Sequence, residues 1–176
     1  MGVTVMPSSE RDAIVETINL YALAVDAKQW SLFDRVFTSD VKMHFDEGAC
    51  WDDLERLKHD FALVHAPFNC TQHIMTNHLV KVEGRRASAL TYGMWHLFRQ
   101  GTEGGDWWQG GGWYDDVLLE QESGWRISER RCRIAWWRGN PLVQVPNPDV
   151  YFNLSSASMQ KEADEGEIRY LKALEA

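Results

Sequence analysis

Positive charge is scarce in this chain: 18 Lys and Arg stand against 26 Asp and Glu in 176 residues, a net charge of -8. Nucleic-acid binding draws its affinity from cations set against phosphates, so an acidic chain without a basic cluster falls outside that class. The longest basic run, Arg130-Arg131-Cys132-Arg133, divides between two faces if it lies on a strand and makes no patch. Long apolar runs are missing as well, and nothing approaches the roughly 20 residues of a bilayer-spanning helix. The first ten residues have neither the basic start nor the apolar centre of a secretion signal. Cysteine is limited to Cys50, Cys70 and Cys132, far apart and without a CxxC pair. That set excludes a disulfide framework and fits a reducing compartment, so a cytoplasmic chain with no membrane partner is expected.

What the chain has in quantity is tryptophan, nine residues in all. Large amphipathic rings in that number point to aromatic-lined cavities or broad subunit contacts, alongside ordinary core packing. Hydrophobic residues at 44% and charged residues at 25% belong to a globular chain with one full core.

The pattern changes partway along. Ser9 followed by Asp12 reads as a capping box, and Ile14, Ile18, Tyr21 and Val25 then recur at helical spacing up to Asp26. A short helix is expected over 31–37, a short strand over 41–45 and a third helix over 52–65. Four strands follow, over 72–83, 87–100, 112–122 and 125–138, rich in β-branched and aromatic residues. The glycine-rich stretch from Gly101 to Gly112 reads as the loop between two of them. Beyond Gly139, Pro141, Pro146 and Pro148 mark an irregular segment, and a polar helix is expected over 156–174. Helices first and strands afterwards make an α+β domain over 1–140, with 141–176 an extension of that same domain.

Most cofactor chemistries leave no mark. The Gly104–Gly112 stretch lacks the Lys-Ser/Thr pair of a P-loop and the strand-to-helix setting of a dinucleotide fingerprint. His73 and His78 are five apart and fall on opposite faces of a regular strand, while His59 and His65 diverge on a helix. No HExxH or two-His-one-carboxylate spacing occurs, and neither a metal nor a cofactor is expected. Three polar residues remain: Asp26 at the end of an apolar helix, His73 at the start of the first long strand, and His96 in the next strand. Each has an ordinary structural role available, as a helix-end carboxylate, a satisfied core imidazole and a strand-interior residue. If Asp26 and His73 met, the carboxylate would accept a hydrogen bond from one ring nitrogen. The other nitrogen would then be free to remove a proton from carbon.

Tyr21-Ala22-Leu23-Ala24-Val25-Asp26 with Trp30, Thr71-Gln72-His73, Asn77-His78-Leu79-Val80-Lys81-Val82-Glu83-Gly84 and Gly124-Trp125-Arg126-Ile127 together resemble the SnoaL-like family of the nuclear transport factor 2-like superfamily. The resemblance spans about residues 11–138. It implies a cone: a curved, mostly antiparallel sheet wrapped by N-terminal helices around a deep pocket. Within the superfamily the chain is similar to the scytalone dehydratase and hexachlorocyclohexane dehydrochlorinase branches, in which an Asp–His pair removes a proton and a leaving group departs. That similarity implies catalytic roles for Asp26, His73 and His96. Substrate contacts are expected at Tyr21, Phe45, Tyr92, Tyr114 and Arg131, the last because an Arg on that strand could hold a carboxylate or a developing oxyanion. Departures are visible: Val25 and Phe45 stand where the dehydratase has tyrosines, and its pocket Asn falls near Tyr114 or Asp115. Scytalone itself is therefore not expected as substrate. Tyr92, Tyr114 and His96 are the local alternatives as donors, with Tyr92 and His96 on one face of a regular strand.

The expectation is a cofactor-independent lyase acting on a small hydrophobic, aromatic substrate, with loss of water or of formaldehyde as outcomes. An isomerase or aldol-type cyclase using the same pair, and a non-catalytic ligand-binding subunit, are the alternatives. The resemblance also implies a homo-oligomer, a trimer or dimer.

Overall fold

The structure, a computed structural model, describes residues 9–45, 49–144 and 156–175. Helix α1 (Glu10–Asp26) starts where Ser9 and Asp12 exchange side-chain-to-backbone hydrogen bonds, the reciprocal capping box. It ends where Lys28 turns to φ 52. There the Gln29 amide donates to Ala24 and the Lys28 amide to Val25, which closes the last turn. A 3-10 turn (Trp30–Leu32) and the single-turn helix α2 (Phe33–Val36) replace the one short helix expected over 31–37. Strands β1 (Phe37–Phe45) and β2 (Ala49–Trp51), helix α3 (Leu54–His65) and four long strands follow: β3 (Cys70–Glu83), β4 (Arg86–Phe98), β5 (Trp107–Gln121) and β6 (Gly124–Gly139). Short helices α4 (Pro141–Gln144), α5 (Met159–Asp164) and α6 (Arg169–Glu175) complete the described chain.

The six strands form one curved sheet in the order β2-β1-β6-β5-β4-β3. Every pairing is antiparallel except that of β1 with β6, which is parallel. The inner face carries the core. Ile14, Ile18, Tyr21 and Val25 of α1 and Leu57, Phe61 and Val64 of α3 pack with Met43, Trp95, Trp108, Tyr114 and Ile127 of the strands. Among the described residues no helix is long and apolar enough to cross a membrane.

Three expectations change. The run at Gly110–Gly112 is strand, not loop, because β5 begins at Trp107. Glycine is required there by contacts rather than by flexibility. A Cβ on Gly110 would lie 2.2 Å from the Trp108 ring, and one on Gly112 would lie 1.8 Å from the Arg133 carbonyl oxygen at a β-bulge. The continuous helix over 156–174 is instead α5 and α6, separated around Gly166, whose φ is +68. His78 does not oppose His73: a register shift between Thr76 and Leu79, with Asn77 at φ 52, reverses the alternation, so both imidazoles face inward. Of the proline-marked segment, Pro146 and Pro148 lie outside the described residues.

One polar cluster sits inside the inner face. Arg130 on β6 is fully buried and forms a two-pronged ion pair with Asp116 on β5, at 2.8 and 2.7 Å. Its guanidinium also lies over the rings of Tyr21 and Tyr114, 4.3 and 4.4 Å from their centroids. Asp116→Ala leaves that charge without its counter-ion in a dry environment, and a loss of about 3–5 kcal/mol is expected. Urea unfolding of the variant beside the wild type measures it, and a change below about 1 kcal/mol would mean that the pair is not holding the sheet.

Candidate active site

Asp26 occupies the last position of α1, where the helix dipole disfavours a carboxylate. Its charge is held by donors from β3 instead. Thr71 Oγ1 donates to Oδ1 at 2.8 Å, the His73 amide donates to Oδ2 at 2.8 Å, and His73 Nδ1 lies 2.7 Å from Oδ1. Thr71 and His73 are two apart on a strand, so both side chains face the helix end together. Burial alone would raise the Asp26 pKa. The bonds from the His73 ring, the His73 amide and Thr71 outweigh it and hold the carboxyl below its ordinary range. An ionised Asp26 places the ring proton of His73 on Nδ1 and leaves Nε2 as the basic nitrogen.

The His73 ring lines a cavity of about 80 Å³ with Tyr21, Phe45, Phe61, Val64, His65, Phe68, Trp95, Leu97, Trp108, Tyr114, Cys132, Ile134 and Gln144. The wall is almost wholly apolar and aromatic. Tyr21 meets the His73 ring edge-on, with centroids 6.2 Å apart, and also packs edge-on against Tyr114. Trp95 Nε1 donates to the Tyr114 hydroxyl at 2.6 Å. Burial raises the pKa of both tyrosines, and each stays protonated as a neutral donor. Among the described residues no group of three His, Cys, Asp or Glu side chains is placed to hold a metal ion.

The candidates named from the sequence divide by strand parity. Asp26, His73, Tyr21, Phe45 and Tyr114 converge on the cavity or its rim. His96, Tyr92 and Arg131 do not. His73 pairs across the ladder with Trp95, so His96, one residue on, faces the outer side, near the Gln109 amide at 3.4 Å. Tyr92 faces the same outer side, 41% exposed, with its hydroxyl at Met159 Sδ. Arg131 is outward too, paired with Glu167, and the inward arginine is Arg130. That Tyr92 and His96 share a face is true, but it is the face away from His73.

His65, weighed in the sequence only as a metal ligand beside His59 and set aside, also lines the cavity. It is buried, stacks on Phe61 and donates from Nδ1 to the Phe61 carbonyl at 2.8 Å. Burial first, and the neighbouring His73 second, push its pKa from 6.5 down to about 4. A neutral imidazole with Nδ1 as donor has Nε2 as a bare acceptor. Its spacing from Phe61, one helical turn, was the available signal.

The SnoaL-like domain family profile matches residues 7–131. An uncharacterised protein of Mycobacterium tuberculosis, Rv2910c, is 29% identical over 126 residues, which is 69% of this chain and 83% of that protein. A candidate scytalone dehydratase from Novosphingobium aromaticivorans superposes with a TM-score of 0.68 at 15% identity, covering 73% of this chain and 86% of that one. A type 2 hexachlorocyclohexane dehydrochlorinase, LinA, superposes with a TM-score of 0.65 at 16% identity, covering 80% and 95%. At such identities the two structures show likeness of fold alone.

A neutral buried His65 has a consequence for stability. In the unfolded chain it takes up a proton below pH 6.5, while in the folded chain it does so only near pH 4. Folding therefore loses free energy as pH falls through that window. Asp115, whose pKa burial raises to about 6, works in the opposite direction over nearly the same range. Between pH 7 and pH 4.5 the stability of His65→Gln relative to the wild type should improve by on the order of 2 kcal/mol. Urea titrations of both proteins at the two pH values measure this, and a pH-independent difference would mean that His65 is not held neutral.

Proposed function

The chain belongs to the SnoaL-like domain family, within the nuclear transport factor 2-like superfamily, and we propose that it is a cofactor-independent lyase in which His73 removes a proton from carbon and a neighbouring group departs. The observation that carries this reading is the 2.7 Å contact between Asp26 Oδ1 and His73 Nδ1 at the wall of an apolar cavity. Asp26 orients the ring, sets its tautomer and stabilises the imidazolium that forms. An apolar wall strengthens that electrostatic effect, because little solvent screens it. Removing a proton beside a leaving group and returning it to that group needs no redox partner and no activated phosphate.

The substrate is a small, hydrophobic, uncharged molecule. No lysine or arginine lines the cavity among the described residues, and the inward-facing Arg130 is ion-paired with Asp116 through Nε and Nη2, its buried Nη1 having no hydrogen-bond partner. The neighbours support elimination chemistry by their names, one as a dehydratase and one as a dehydrochlorinase. Loss of water is the first outcome to look for.

The test is mass spectrometry of wild type, His73→Ala and Asp26→Asn against neutral aromatic and alicyclic β-hydroxy ketones, diaryl propanediols and chlorinated cyclohexanes. The wild type should release a product lighter by one small leaving group. His73→Ala should lower turnover by about 10²–10⁴-fold, and Asp26→Asn by about 10²-fold or more, with the fold unchanged by circular dichroism. A product of unchanged mass would turn the assignment to an isomerase or cyclase, and undiminished turnover by His73→Ala would remove the dyad from the chemistry.

A further inference from the structure

The dyad explains the reacting end of the cavity and leaves the opposite wall without a role. We propose that Trp108 and Gln144 form a hydroxyl-recognising pair on that wall, so that the substrate carries a neutral hydroxyl group one ring away from the carbon that loses its proton. This rests on the lyase reading for which carbon reacts and adds how the rest of the molecule is held.

The first observation is chemical. Among the described residues, buried side-chain polar atoms without a hydrogen-bond partner occur on Thr38, Trp108, Trp113, Arg130 and Gln144. Of these residues, Trp108 and Gln144 line the cavity and the others do not. The unpartnered atoms are Trp108 Nε1, which can only donate, and Gln144 Oε1, which accepts. The second tryptophan of the cavity is the contrast, since Trp95 Nε1 donates to the Tyr114 hydroxyl at 2.6 Å. A buried donor left unpaired loses the hydration of that group, a cost that a phenylalanine in the same place would not carry. A ligand hydroxyl accepts from the one and donates to the other, which a carbonyl, an ether or a halogen cannot do.

The second is placement. Trp108 on β5 lies opposite Leu97 on β4, which in turn lies opposite Thr71 on β3. Thr71 and His73 are the two β3 residues that hold Asp26. Two strand spacings, about 10 Å along the sheet, therefore separate the Trp108 backbone from the strand of the dyad. Trp108 and His73 turn into one cavity of about 80 Å³, which takes a single ring between them.

The third is rigidity. Gln144 ends α4, and α4 is tied to the strand end that carries Trp108. The Asn140 amide donates to the Trp107 carbonyl at 2.9 Å, and Asn140 Nδ2 donates to the carbonyls of Glu103 and Gly105, each at 2.7 Å. Val143 is fully buried beneath the same turn. Gly139 opens that turn at φ +97, where a Cβ would lie 2.6 Å from the Trp107 carbonyl oxygen. One local structure thus fixes both polar groups. They bind and orient the substrate, and Asp26 and His73 act on its proton.

The test uses the full chain with two one-ring probes of nearly equal size: phenol, which has the hydroxyl, and fluorobenzene, which donates no hydrogen bond. Binding is followed by NMR titration at millimolar probe, reading the indole N–H resonance that Trp108→Phe removes from the spectrum. Phenol should shift that resonance downfield, and fluorobenzene should not. Trp108→Phe should lower the ratio of phenol affinity to fluorobenzene affinity by about three- to tenfold, and Gln144→Met by a similar factor. His73→Ala should leave the ratio unchanged. An equal response of the Trp108 resonance to both probes overturns the inference, as does a ratio that neither variant moves or a wild type that binds neither probe. Dyad-dependent turnover with an unmoved ratio sinks the inference and spares the lyase. A ratio that falls as stated, beside turnover that His73→Ala does not diminish, upholds the hydroxyl pair and removes the lyase reading.

Discussion

A full positive charge sits in the driest part of this protein, and the surroundings are arranged to tolerate it. Arg130 has no exposed surface, and taking such a group out of water costs several kcal/mol unless its partners are well placed. Asp116, directly across the ladder on β5, supplies the counter-charge with two short bonds. Tyr21 and Tyr114 each supply an aromatic face to it. The cluster thereby joins α1, β5 and β6 at one point. The position of α1 over the sheet is set there, and with it the position of Asp26, which lies five residues beyond Tyr21 at the helix end.

From that anchor the site follows by short-range geometry. The last turn of α1 delivers a carboxylate against the first turns of β3, where Thr71 and His73 project on the same side. Three donors hold the carboxylate ionised against both burial and the helix dipole. The remaining walls are mostly rings and aliphatic side chains from α1, α3 and strands β1, β4, β5 and β6, which leave few polar atoms to compete with a substrate. The glycines of β4 and β5 belong to this arrangement. Gly93 gives room to Tyr114 and Trp95, and Gly110 to Trp108, so large rings turn inward from a sheet that would otherwise crowd them. The high tryptophan content has its explanation in part here, since Trp95 and Trp108 both line the cavity.

Much of the architecture was legible in the residues. The capping box of α1, the helix-to-strand change of pattern and the inward residues of α1 all follow from periodicity and local hydrogen bonding, which are properties of neighbouring residues. The misreadings have a common cause. The Gly101–Gly112 stretch resembled a loop because glycine usually marks one, whereas here its missing Cβ makes way for Trp108 and for the Arg133 carbonyl, which are contacts with the rest of the sheet. His78 was sent to the wrong face because strand alternation was assumed regular across the bulge at Asn77. His96 was assigned from the resemblance and Tyr92 and Arg131 for their chemistry, and parity relative to His73 and to Arg130 puts all three on the outer face.

Sequence alone determined which side chains could do acid–base chemistry, that α1 ends at Asp26, and that the chain is an α+β domain of the SnoaL-like kind, because capping, period and motif are written within a few residues of one another. Only the tertiary structure decided that Asp26 meets His73 across 47 positions, that the inward arginine is Arg130 with Asp116 as its partner, and that His65, Tyr21 and the hydrogen-bonded pair Trp95–Tyr114 face the same cavity. Those relations depend on the register of β3 to β6, the placement of two bulges and the seating of one helix on a curved sheet. Such quantities are fixed by the packing of the whole core, and no local stretch of residues carries them.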